Sequence, residues 1–86
     1  MHVSVISPEA ATFDGPADSV VAPAFDGEVG ILPRHAPFMT LLGDGVLVVR
    51  TEGGERRFHV RGGFLQVVDN TLRVVTEYVK ESSDAT

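Results

Sequence analysis

Any acid–base or metal chemistry in this chain must come from its imidazoles and carboxylates. The histidines are His2, His35 and His59; Asp and Glu together number twelve, and cysteine is absent. A zinc site needs about four ligands, commonly with a close pair on one element, and these histidines stand far apart in sequence. Without cysteine, a disulfide framework, a thiolate metal site and a cysteine nucleophile are excluded. Acyl transfer asks for a nucleophile on a strained elbow, and Ser4, Ser7, Ser19, Ser82 and Ser83 lack that setting. A Gly-rich loop followed by Lys-Ser/Thr, the phosphate cradle of nucleotide hydrolases, is missing. Paired carboxylates could in principle cleave glycosides, and the only recurring motif is Phe13-Asp14-Gly15 with Phe25-Asp26-Gly27. Its plainer reading is structural: Phe caps a core, Asp bonds its own backbone in a turn, and Gly supplies the turn geometry. Neither copy has the alternating acids of a calcium loop. Chemistry alone therefore points to a non-catalytic binding or structural module with no cofactor and no metal.

The elements that would hold such a module read as strands. His2-Val3-Ser4-Val5-Ile6 is β-branched and stopped by Ser7-Pro8. Ser19 to Ala22 precedes Pro23, which belongs at a strand end or on an edge. Glu28 to Leu32 is closed by Pro33, and Val46 to Thr51 runs into Glu52-Gly53-Gly54-Glu55, where Gly53-Gly54 signals a two-residue hairpin. In the return strand Arg56 to Val60, Phe58 and Val60 share one face while Arg57, His59 and Arg61 take the other. Gly62-Gly63 predicts a bulge or corner at positive φ. Phe64 to Val68 and Leu72 to Thr76 flank Asp69-Asn70, a second tight hairpin. Both strands are apolar on both faces, so they lie centrally or have a face covered by another protein. Leu72 to Glu81 also fits a helical stripe, but its valines and threonines favour strand, fraying after Tyr78. With no crossover helix, the pattern predicts an all-β fold, an antiparallel β-sandwich or flattened barrel of about 8–10 short strands. The domain would span residues 1–80, with 81–86 a polar tail.

With 86 residues the chain has room for one core, and its 43% hydrophobic content is too high for a disordered acidic tail. The net charge of −5 counts against a basic grip on nucleic acid or an anionic membrane. Residues 1–33 hold five acids and no base, whereas 34–86 hold seven of each. That acidic half is either a solvated face or a docking edge for a basic partner, with Glu28 the candidate contact. No apolar run approaches the ~20 residues of a spanning helix, and no basic start marks a signal peptide. The expectation is a soluble, intracellular protein unless a partner holds it elsewhere.

One stretch is distinctive: Gly27-Glu28-Val29-Gly30-Ile31-Leu32-Pro33-Arg34-His35-Ala36-Pro37. It closely resembles the marker of the epsilon subunit of the bacterial F-type ATP synthase, Gly-Glu-hydrophobic-Gly-Ile-x-Pro-Gly-His-Ala-Pro. Gly62-Gly63-Phe64-Leu65-Gln66-Val67 matches a second marker of that family, and the opening His2 to Glu9, followed by Phe13-Asp14-Gly15, fits its first strand and turn. The resemblance covers residues 1 to about 80. It departs at Arg34, where the family usually has glycine. If the family's turn takes positive φ there, arginine strains or shifts it by on the order of 1 kcal/mol. It also departs at the end, since family members commonly continue into two C-terminal helices, and the activities of those helices are not implied here.

The resemblance implies a non-catalytic central-stalk subunit that clamps the gamma subunit to the c-subunit ring, so that ring rotation drives gamma and ATP synthesis. It further implies a peripheral position on the cytoplasmic face of the bacterial plasma membrane, within the complex. The interface residues it suggests are Asp26, Glu28, Arg34, His35, Phe38, Met39, Leu41 and Leu42. Glu28, with Asp26 beside it, would offer a carboxylate to a cation of the ring loops. Phe38 to Leu42 would meet gamma, or would simply fill the core. His35 would otherwise be a turn residue packed locally. Two other classes stay open: a small β-barrel binding a ligand, and a single-strand nucleic-acid binder using Arg56, Arg57, Arg61 and Arg73 as a basic stripe.

Overall fold

Short β-branched runs with alternating polarity must each bury one face, and this chain does so by stacking two sheets. The computed structural model describes residues 1–9 and 11–82. The strands are β1 (His2–Ile6), β2 (Ala11–Pro16), β3 (Ser19–Ala24), β4 (Gly27–Ile31), β5 (Phe38–Leu41), β6 (Asp44–Thr51), β7 (Gly54–Arg61), β8 (Phe64–Val68), β9 (Thr71–Val75) and β10 (Tyr78–Glu81). Sheet A runs β2-β1-β9-β8-β5 and sheet B runs β10-β7-β6-β3-β4. The all-β sandwich expected from the sequence is the fold observed. Its pairings are antiparallel except one, β1 beside β9, which is parallel.

The core lies between the sheets. Val3, Val5, Leu65, Val67, Leu72 and Val74 point in from sheet A, and Val20, Ala22, Ile31, Leu47, Val49, Phe58 and Val60 from sheet B. Removing these side chains from water is the main favourable term in a domain of this size. Phe13 on β2 meets Phe58 edge-to-face, with ring centroids 6.1 Å apart. Over both rings lies the Arg56 guanidinium, 5.1 Å and 5.6 Å from their centroids. Two hydrogen bonds, 2.7 and 2.8 Å, hold it to the Glu81 carboxylate. One side chain thus closes the lateral seam where β2 and β10 approach.

Several local expectations shift. The first hairpin turn is Glu52-Gly53, since Thr51 pairs with Gly54, and Gly54 opens the return strand at φ 132°. The glycine pair behaves as expected, with positive φ at both Gly62 and Gly63. A Cβ on Gly63 would sit 2.0 Å from the Val75 carbonyl oxygen, so only glycine passes there. The Phe-Asp-Gly copies are not equivalent. Phe13 is buried in β2, and Asp14 accepts from Ser4 and bonds His2 across the strands rather than its own backbone. Phe25 sits in a turn and is 67% exposed, so it caps nothing.

The chain does not fray after Tyr78. It leaves sheet A at Thr76 and re-enters sheet B as β10, paired with β7. Buried Thr76 secures the crossing: its N–H donates to Ile6 O, and its hydroxyl lies 3.0 Å from the carbonyl oxygens of both Arg61 and Tyr78. Glu81 remains within β10, and the Ser82 N–H donates to Arg57 O. Residues 83–86 of the expected tail fall outside the described residues.

Candidate interaction surface

The β4–β5 segment, which carries the distinctive motif, adopts a defined turn. Leu32-Pro33-Arg34-His35 is closed by His35 N–H donating to Leu32 O at 3.2 Å. Pro33 supplies the fixed negative φ of the first central position, and Arg34 takes the second at φ 65°. That geometry is a type II turn, whose second position ordinarily needs glycine. Arg34 is held there because its N–H donates to the Asn70 side-chain oxygen at 2.8 Å. Asn70 belongs to the β8–β9 turn, where Asp69 and Asn70 both have positive φ. Its carbonyl also accepts the His2 N–H at 3.1 Å, so one residue ties three segments at this end.

The sequence-proposed residues do not gather in one place. Arg34 and His35 lie at the Asn70 end, while Asp26, in the β3–β4 turn, lies at the other. Glu28 is near Asp26 on β4, a strand that spans about 13 Å at ~3.3 Å per residue. His35 is half-buried and engaged locally: its Nδ1 is 2.8 Å from Ala36 O, and its ring stands edge-on to Phe38, 5.6 Å between centroids. Asp26, Glu28 and the Arg34 guanidinium are exposed and form no ion pair among the described residues.

The apolar run divides by strand parity. Phe38 and Thr40 pair with the buried Val67 and Leu65 and so face inward. Met39 and Leu41 face out and are 61% and 62% exposed. Leu42 is only 5% exposed and belongs to the core, so it presents nothing to a partner.

Register then reveals what the linear sequence hid. On the outer face of sheet A, Leu41 lies opposite Phe64, Phe64 opposite Val75, and Val75 opposite Ile6. Four adjacent strands therefore contribute one continuous apolar row. Beside it a hollow of about 300 Å³ is lined by Ile6, Pro8, Phe64 and Val75. The adjacent row holds Met39, Gln66, Arg73, Ser4 and Asp14 and is mainly polar. Phe64, Val75 and Ile6 were not among the sequence candidates. For Phe64 and Val75 the signal was the two-sided apolarity of the strands flanking Asp69-Asn70.

Other groupings dissolve. Arg56 sits in the seam, Arg57 and Arg61 lie on the outer face of sheet B, and Arg73 lies on that of sheet A. They form no common basic stripe. The acids of residues 1–33 are likewise scattered, with Asp14 already bonded by His2 and Ser4.

Residues 1–82 match the family described as ATP synthase, Delta/Epsilon chain, beta-sandwich domain. An ATP synthase epsilon chain of Leptospira borgpetersenii serovar Hardjo-bovis is 44% identical over 86 residues, covering 98% of this chain and 68% of its own length. The fold matches a chain in a cryo-EM structure of Euglena gracilis mitochondrial ATP synthase, OSCP/F1/c-ring. There the TM-score is 0.85 at 23% identity, over 92% of this chain and 51% of that one. It also matches a chain in Tetrahymena thermophila mitochondrial ATP synthase central stalk/c-ring, TM-score 0.79 at 22% identity, over 93% and 65% of the two chains.

Proposed function

This chain belongs to the ATP synthase delta/epsilon β-sandwich family, and we propose that it is a non-catalytic central-stalk subunit of a proton-translocating F-type ATP synthase. In that role it couples rotation of the c ring to gamma, and so to ATP synthesis, from a peripheral position on the cytoplasmic face of a bacterial plasma membrane. The observation that carries this reading is the apolar row Leu41–Phe64–Val75–Ile6, a surface suited to burial against another protein, on a chain matching this family along its described length.

The mechanical task follows from the fold. A coupler must pass torque without yielding. Two five-stranded sheets packed on one core, with a cation clasp along one side and a threonine-stapled crossover, resist shear through many bonds acting together. Gamma takes the outer face of sheet A, where Leu41 ends the apolar row and Met39 stands beside it. The exposed carboxylates of Glu28 and Asp26 meet cations of the ring, setting register more than affinity, since a partly exposed pair is worth ~0–1 kcal/mol. Arg34 and His35 present a second contact at the opposite end.

Mixing the purified chain with a purified gamma subunit and measuring mass by light scattering tests the reading. A one-to-one complex is expected. Two separate, non-interacting species, with an assembled synthase that couples normally without this chain, would overturn it.

A further inference from the structure

Hydrogen-bond parity marks one strand edge as unfinished. Ala24 and Gly27 pair across the two-residue turn Phe25-Asp26, so they exchange hydrogen bonds. Bonded and non-bonded pairs alternate from there. Ala22–Val29 and Val20–Ile31 are bonded, while Pro23–Glu28 and Val21–Gly30 are not. Pro23 fits this parity, because its missing N–H falls at a non-bonded position; its carbonyl turns the other way to accept the Gly43 N–H at 2.8 Å. The same parity sends the main-chain N–H and C=O of Glu28 and Gly30 outward from β4, the last strand of sheet B. They have no hydrogen-bond partner among the described residues.

The other three sheet edges are protected. β2 ends in Pro16 and its pairing with β1 is broken by a register shift. β10 carries Lys80 and is short, and the Leu41 carbonyl of β5 already accepts from the Phe25 N–H. β4 instead has glycine at two of its five positions, turns the main-chain groups of Glu28 and Gly30 outward with no proline among them, and lies last in its sheet.

We propose that β4 is a docking edge for β-strand addition: an extended segment of gamma pairs with the main-chain groups of Glu28 and Gly30 as a sixth strand of sheet B, while the Glu28 side chain stays with the ring. This inference rests on the stalk reading above. Main-chain bonds would supply the affinity. A second copy of this chain is the poorer occupant, because antiparallel self-pairing would bring two Glu28 carboxylates together on molecules of net charge −5. Gamma suits this edge, since β5, at the adjoining edge of sheet A, presents Leu41 of the apolar row with Met39 next to it.

Residue-resolved hydrogen exchange on the wild-type chain, free and with purified gamma, tests this directly. In the free chain the Glu28 and Gly30 amides exchange fast while those of Val29 and Ile31 are protected. With gamma bound, Glu28 and Gly30 become protected by at least about tenfold. Gly30→Pro deletes only an outward N–H and leaves the β3 ladder whole, so it weakens gamma binding about tenfold or more, while Gly30→Ala stays within about twofold. A gamma complex that forms with Glu28 and Gly30 still exchanging fast would overturn strand addition and leave the stalk reading standing. Absence of any gamma complex would overturn both, and a dimer paired through these amides would assign the edge to self-association instead.

Discussion

The backbone N–H of Arg34 donates to the side-chain oxygen of Asn70 at 2.8 Å, joining the β4–β5 loop to the β8–β9 turn across 36 residues of sequence. The bond holds an arginine where the turn asks for glycine, at φ 65°. Arg34→Gly should therefore stabilise the domain by about 0.5–1 kcal/mol, the relieved strain being partly offset by glycine's greater unfolded-state freedom. Asn70→Ala should destabilise it by about 1–3 kcal/mol, because it loses that bond and puts alanine at positive φ. Urea denaturation of the two variants against the wild type measures both.

Gly63 and Gly62 are adjacent and both left-handed, yet they should respond differently. Gly63→Ala places a methyl 2.0 Å from the Val75 carbonyl oxygen, so the β7–β8 corner must open. A loss of roughly 3 kcal/mol or more, or failure to fold, is expected. Gly62 has open space around its Cβ position, and Gly62→Ala should cost only about 1 kcal/mol of backbone strain. Melting temperatures should separate the two by several degrees.

The Arg56–Glu81 clasp should give a pH signature. Hydrogen bonds from Arg56 hold the Glu81 carboxyl below its ordinary value of 4.5, with the guanidinium charge helping and burial opposing. A group whose folded value is depressed adds stability above its unfolded value and loses it as pH falls through the folded one. The same bonds raise the Arg56 guanidinium further still, so it stays charged throughout. Both side chains are over a third exposed, which limits the clasp to about 0–1 kcal/mol. Glu81→Gln should therefore be less stable than wild type at neutral pH and should converge with it in acid, well below pH 4.5.

Parity along β5 predicts a division between binding and stability. Leu41→Lys should abolish co-purification with gamma while shifting stability by under about 0.5 kcal/mol, since the side chain is exposed. Leu42→Ala, one residue on, should cost about 2–4 kcal/mol by leaving a cavity in the core. Pull-down and denaturation on the same two variants test the division.

Much of the fold was legible because strands and tight turns are local. Phe58 and Val60 against Arg57 and His59 show their faces by alternation alone, and Gly62-Gly63 and Asp69-Asn70 announce positive φ by residue type. β10 was hidden because Thr76 looks like one more β-branched residue of β9. Only its three-way bonding to Ile6, Arg61 and Tyr78 shows the chain changing sheets. The outward apolar row was harder still. Met39 and Leu41 were within reach of sequence, but Phe64, Val75 and Ile6 join them only through strand order. Leu42 looked equivalent to Leu41 because one residue of register decides which side a side chain faces.

The parallel pairing of β1 with β9 bears on how the protein is made. His2–Ile6 leaves the ribosome well before its neighbour Thr71–Val75. Strand β1 therefore waits with one flank unsatisfied until β9 emerges, and sheet A is complete only when residue 75 has left the ribosome. Nascent chains stalled short of that point should be sensitive to protease, with resistance appearing in a single late step rather than hairpin by hairpin.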